Sequence, residues 1–121
     1  MTIAPTKIEN PSGAEYDNTF RRQWTLPADE VGVPVALPRH ADRSLQISGA
    51  FDGATLRIEG SLDGVNFAPL TDPQGNDLVF TSYPAGYASK IEAISEAVVS
   101  VRPKTIGGAA TALVVTLLSR S

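Results

Sequence analysis

The sequence predicts an all-β fold: a single antiparallel β-sandwich of jelly-roll type over residues 19–121, preceded by an extended N-terminal arm over residues 1–18. Three observations predict it. Apolar and polar residues alternate with a period of two in several short runs, the pattern of strands with one face in a core. These runs recur roughly every 8–12 residues with Gly, Pro and Asp between them, the punctuation of sandwiches. No window of about 12 residues keeps a 3.6-residue period free of Gly or Pro, so long helices are not expected.

The elements follow in order. The first eighteen residues hold Pro5, Pro11, Gly13, Asn10 and Asn18, with only Ile3, Ile8 and Tyr16 as sizeable apolar groups. They read as an extended arm, with Ile3 and Ile8 as anchors for a neighbouring subunit. The run from Phe20 to Leu26 places Phe20, Arg22, Trp24 and Leu26 on one strand face, and Pro27 to Gly32 is a turn cluster. Val33 to Leu37 carries Pro34, which marks an edge strand or a strand start. Leu45 and Ile47 alternate with polar residues, as do Leu56 and Ile58 after the Asp52-Gly53 turn. Asp63-Gly64 closes a hairpin, with Val65, Phe67 and Leu70 in the next strand. Leu78 to Thr81 is short, Ser82–Ser89 is a loop, and Lys90 to Ala97 fits a bent strand or a brief helix. Val99 and Val101 alternate up to Pro103, and Gly107-Gly108 turns the chain into Thr111–Ser119. That last strand is apolar on both faces, as a central strand is. The expected core is Leu45, Ile47, Leu56, Ile58, Phe67, Val101, Leu113, Val115 and Leu117.

Composition narrows the function classes. The chain has 121 residues, enough for one domain with its own core. Without cysteine there is no disulfide scaffold, thiolate metal site or thiol nucleophile. Ten basic against thirteen acidic residues give a net charge of −3, so nucleic acid is not expected as a direct partner. The longest strongly apolar run, Ala112 to Leu118, is far short of the ~20 residues a helix needs to cross a bilayer. Neither a membrane partner nor a secretory signal is expected.

Asp52, Asp63, Asp72 and Asp77 lie in turns, where an Asp side chain bonds its local backbone. The loop from Asp72 to Asp77 lacks the ligand spacing of an EF-hand, and Glu59, Glu92 and Glu96 form no recognisable catalytic pair. His40 is the single histidine; no Gly-x-Ser-x-Gly or phosphate loop occurs. No catalytic, cofactor-binding or metal-ligating residue is therefore assigned, and the chain is expected not to be an enzyme. The candidate interface residues are Ile3, Ile8, Arg21, Arg22, Trp24, Tyr83 and Tyr87. Arg and aromatic groups on strand edges and in exposed loops are enriched where proteins meet.

Two resemblances add to this. Ile58 to Phe67 reads I-E-G-S-L-D-G-V-N-F and resembles the strand–turn–strand of discoidin-like sandwich domains, where the motif is a hairpin device. A longer string covers about Phe51 to Arg120. It runs F-D-G-A-T-L-R-I-E-G-S-L-D-G-V-N-F-A-P-L, then I-E-A-I-S-E-A-V-V-S-V-R-P, then G-G-A-A-T-A-L-V-V-T-L-L-S-R. It resembles small tailed-bacteriophage virion proteins of the capsid decoration, or cement, type. That resemblance implies a structural protein made in the bacterial host cytoplasm. It would bind the major capsid protein on the outside of the shell, as a homo-oligomer that base rates make a dimer. The alternative is a carbohydrate-binding or adhesin-type sandwich on a phage tail or fibre.

Overall fold

Strands that alternate apolar and polar residues must pair and then stack, and two sheets result. The computed structural model describes residues 2–7, 19–37, 42–110 and 112–120, of which no residue is helical. In chain order the strands are β1 (Thr2–Ile3), β2 (Thr6–Lys7), β3 (Thr19–Leu26), β4 (Val31–Gly32), β5 (Val35–Ala36) and β6 (Asp42–Ser48). They continue as β7 (Thr55–Ser61), β8 (Ala68–Pro69), β9 (Val79–Phe80), β10 (Ser89–Ala93), β11 (Ser100–Ile106) and β12 (Leu113–Arg120). A five-stranded sheet runs β10-β6-β12-β3-β2. A seven-stranded sheet runs β1-β4-β11-β7-β8, with β5 also on β11 and β9 also on β7.

The connectivity is that of a long hairpin rolled over itself. β3 pairs with β12, β4 and β5 with β11, β6 with β10, and β7 with β8 and β9, all antiparallel. This is the jelly-roll order. β12 is central, hydrogen-bonded to β3 and to β6 along its length. That position explains its apolar composition on both faces.

Leu45, Ile47, Leu113, Val115 and Leu117 point inward from one sheet and Leu56, Ile58 and Val101 from the other. Leu37, Leu70, Leu78, Ile94 and Val98 close the rims. Phe67 is a correction. It is only half-buried, on the outer face of the larger sheet, where the Arg102 guanidinium lies 3.9 Å from its ring centroid. Arg102 Nε also donates to Glu59 Oε1 at 3.0 Å, so the ring is held by a cation above it rather than by the core. Val65 is also corrected: it sits in the turn, not in a strand.

Trp24 is 1% exposed and sits between the sheets. Its indole N–H donates to Val33 O at 3.0 Å. That carbonyl is free to accept because the strand kinks there. Val31 opposes Lys104 and Val35 opposes Val101, so four steps along one strand match three along the other, which is a β-bulge. Pro34 lies in the bulge, where its missing N–H costs no ladder bond. Gly32 makes room: a Cβ there would come within 2.8 Å of the Trp24 ring and 2.7 Å of the Pro103 ring.

The N-terminal residues 2–7 run across both sheets. Thr2–Ile3 pairs parallel with β4, and Thr6–Lys7 pairs antiparallel with β3. Val33 N–H donates to Ile3 O at 2.7 Å, and Ile3 packs against the core of its own chain. The remainder of the expected arm, 8–18, lies outside the described residues.

The packing around Trp24 sets a stability expectation. Trp24→Ala should cost about 3–5 kcal/mol. Trp24→Phe should cost less, since it keeps most of the packing but leaves the Val33 carbonyl unpaired. Urea unfolding of the two variants beside the parent measures both.

Candidate functional site

The β7–β8 turn is built by three polar side chains. Ser61, nearly buried at the end of β7, accepts from Gly64 N–H at 2.8 Å and from Asp63 N–H at 3.2 Å through Oγ. Asp63 Oδ1 accepts from Val65 N–H, from Asn66 N–H and from the Ser61 hydroxyl, each at 2.8 Å. Asn66 Nδ2 donates to Asp63 Oδ2, also at 2.8 Å. Gly64 takes the positive φ, +78°, that the tight reversal needs. The backbone N–H groups of Asn66 and Val65, then the side chains of Asn66 and Ser61, hold the Asp63 carboxyl far below its ordinary value of 3.8.

This network leaves two large apolar side chains outside. Leu62 is 75% exposed and Val65 is 78% exposed, flanking the turn as a rigid apolar prong. Leu62 also lines a hollow of about 410 Å³, together with Ser61, Asn66, Leu70, Glu96 and Val98. Glu96 Oε1 accepts from Thr71 N–H at 2.9 Å. Burial pushes the Glu96 carboxyl up, but its hydrogen bonds, chiefly from Thr71, outweigh burial and lower it overall. The polar side chains Ser61, Asn66 and Glu96 of this hollow are thus already engaged within the chain. Large exposed apolar groups on a pre-ordered backbone lose little entropy on docking, which suits contact with another protein.

The candidates named from the sequence are scattered. Trp24 is corrected: it is core, with its one polar atom satisfied inside the chain, and presents nothing to a partner. Arg22 is half-buried on the inward-facing side of β3, and its Nη1 donates to Arg21 O at 2.9 Å. Arg21 points outward and lines a groove of about 300 Å³ with Ser44, Gln46, Ile91, Thr116 and Leu118. Tyr83 covers the end of the sandwich, its ring centroid 4.8 Å from that of Phe51 and its hydroxyl donating to Gly49 O at 2.6 Å. Tyr87 is 72% exposed at the tip of its loop. Ile3 is half-buried; Ile8 and His40 lie outside the described residues. The sequence reading missed Leu62 and Val65. The signal was present: apolar residues inside a Ser-x-Asp-Gly-x-Asn cluster occupy turn positions, where no core is within reach.

Asp72 serves a second turn, accepting from Gln74 N–H and Asn76 N–H at 2.9 Å. No cluster of three or more His, Asp or Glu that could hold a metal ion occurs among the described residues. No helix among them is long and apolar enough to cross a membrane.

No protein-family model matches the chain, and no curated protein matches its sequence. Solved structures share the fold. The SPBc2 prophage-derived protein YomS matches with a TM-score of 0.57 at 9% identity, over 89% of this chain and 99% of that one. A cupin 2 domain-containing protein from Halorhodospira halophila matches with a TM-score of 0.51 at 11% identity. That match takes in 99% of this chain but 65% of the other. What these likenesses establish is the all-β jelly-roll sandwich. The cupin likeness also corrects the expectation that the chain is not an enzyme. Chemistry on such a shape is assembled from residues that meet in space, so a missing sequence motif excludes nothing.

The turn gives a pH expectation. The folded-state value of Asp63 is depressed, so its contribution to stability is complete above 3.8 and is lost as pH falls toward the folded-state value. Asp63→Ala should therefore lower the Tm at neutral pH. The gap between variant and parent should narrow steadily below about pH 4. Thermal melts followed by circular dichroism across that range check it.

Proposed function

We propose that this chain is a structural protein of a phage particle, a decoration protein that seats on the outer surface of the capsid shell. The observation that carries the reading is the apolar prong of Leu62 and Val65, held rigid by Ser61, Asp63 and Asn66. A decoration protein needs a stiff body and a pre-formed contact, because the same small interface is repeated over the shell and its effect adds through avidity. The sandwich is the stiff body. The fold shared with a prophage-derived protein supports a phage origin, as does the virion-like string over Phe51 to Arg120. The net charge of −3 suits the outside of a shell better than the side facing packaged DNA. The major capsid protein is then the partner, and the prong meets an apolar recess on it.

Capsids lacking the protein test this. Added protein should bind them and raise the temperature at which they rupture. Leu62→Ser with Val65→Ser should weaken binding by roughly 10–100-fold, the loss of about 1.4–2.8 kcal/mol of apolar contact. The Tm of the free protein should hardly change, since neither side chain packs in the core. Unaltered capsids after addition would overturn the reading.

A further inference from the structure

β10 is the outer strand of the five-stranded sheet, and the phase of its hydrogen bonds is set by the residue after it. Ile94 N–H donates to Arg43 O at 3.0 Å. The pair continues the β10–β6 register, in which Ser89 opposes Ser48 and Ala93 opposes Ser44. In an antiparallel ladder, opposed residues alternate between exchanging both bonds and exchanging none. Lys90 and Glu92 therefore bond to β6, while the N–H and C=O groups of Ser89, Ile91 and Ala93 point away from the sheet. Ser95, in the same phase, turns its N–H off the sheet to Thr71 O at 2.9 Å. The side chains divide the other way. Lys90 and Glu92 share the inward side with Ile47 and Leu45, and Lys90 Nζ lies 3.3 Å from Glu92 Oε1. Ile91 stands on the outer face, 67% exposed, at the mouth of the groove that holds Arg21 and Leu118.

We propose that β10 pairs antiparallel with β10 of a second copy of this chain, about a two-fold axis at Ile91. The two five-stranded sheets then become one continuous sheet. Charge selects the register. Centred on Ile91, Lys90 of each copy opposes Glu92 of the other, and Ile91 opposes Ile91. Centred on Lys90, lysine opposes lysine; centred on Glu92, glutamate opposes glutamate. Centres between residues set outward-pointing backbone groups against inward-pointing ones, and the ladder fails. Of these registers the Ile91 one alone satisfies backbone and charge together. Registers centred on Ser89 or Ala93 would call on the N–H of Tyr87 or of Ser95, already given to Pro84 O and Thr71 O. Inward charges on an edge strand ordinarily deter pairing. Here they deter the registers centred on Lys90 and on Glu92 and favour the one centred on Ile91. The join also covers Ile91, and being isologous it closes at two copies. It is independent of the capsid reading.

The test is the mass of the full chain in solution by light scattering and sedimentation. The parent should approach twice 12.8 kDa as concentration rises. Ile91→Pro should return the single-chain mass, because the N–H it removes faces away from β6 and no bond within the chain is lost. Lys90→Glu and Glu92→Lys should each weaken self-association roughly tenfold, about 1.4 kcal/mol, by setting like charges opposite one another. Mixing these two variants should restore the dimer as a mixed species, which shows that both remain folded. A parent that stays monomeric at every concentration overturns the proposal. So do variants that dimerise unchanged, or a mixture that does not.

Discussion

Burying one indole shapes much of this sandwich. Trp24 is too large for a smooth gap between two sheets and carries an N–H that needs an acceptor out of water. The bulge between β4 and β5 answers both demands, turning the Val33 carbonyl toward the ring while Gly32 withdraws the backbone from it. The same distortion tolerates Pro34 and lets β4 accept β1 on its far side. Thr105 fixes the loop just before it. Its hydroxyl accepts from Glu30 N–H at 2.9 Å and donates to Pro27 O at 2.7 Å, in a nearly dry position. Loop, bulge and plug form one unit tying the two sheets together at this end.

The surface is organised by a different rule. Carboxylates that might have formed an open acidic field are instead spent on the backbone: Asp63 and Asp72 each cap a reversal, and Glu96 holds Thr71. The long loops of a jelly roll are thereby stiffened without cysteine. A side chain presented from such a loop keeps its place, and this is what separates Leu62 and Val65 from apolar residues on a loose tip.

The long strands were legible because a half-buried strand imposes alternation over six to eight residues, as in Leu45 with Ile47, Leu56 with Ile58, and Leu113 with Val115 and Leu117. Of the two-residue strands, β5 and β9 fall inside runs that the sequence marks as strands, Val33 to Leu37 and Leu78 to Thr81. β1, β2 and β4 were not legible, since their pairing is decided by partners distant in sequence such as β3 and β11. Phe67 misled because alternation gives the period of a strand and not which face is inside. Trp24 misled because an aromatic beside two arginines resembles a surface anchor, while its burial depends on Gly32 and Val33 arriving from another strand. The Asp63-Gly64 turn was read correctly as a turn. Val65 reads as part of the next strand because apolar character alone does not say whether a core lies within reach.

The short ladders at the beginning of the chain and the long ones at its far end give the molecule a direction under load. β1 and β2 are each held by a two-residue ladder, on different sheets. A pull through them breaks those bonds a few at a time and lifts Ile3 from the rim. β12 is bonded on both sides over almost its full length. A pull along its axis must shear both ladders together and drag Leu113, Val115 and Leu117 past their neighbours. Tension would therefore strip the first strands at small force and leave the rolled body whole, a mechanical fuse in series with a much stronger clamp.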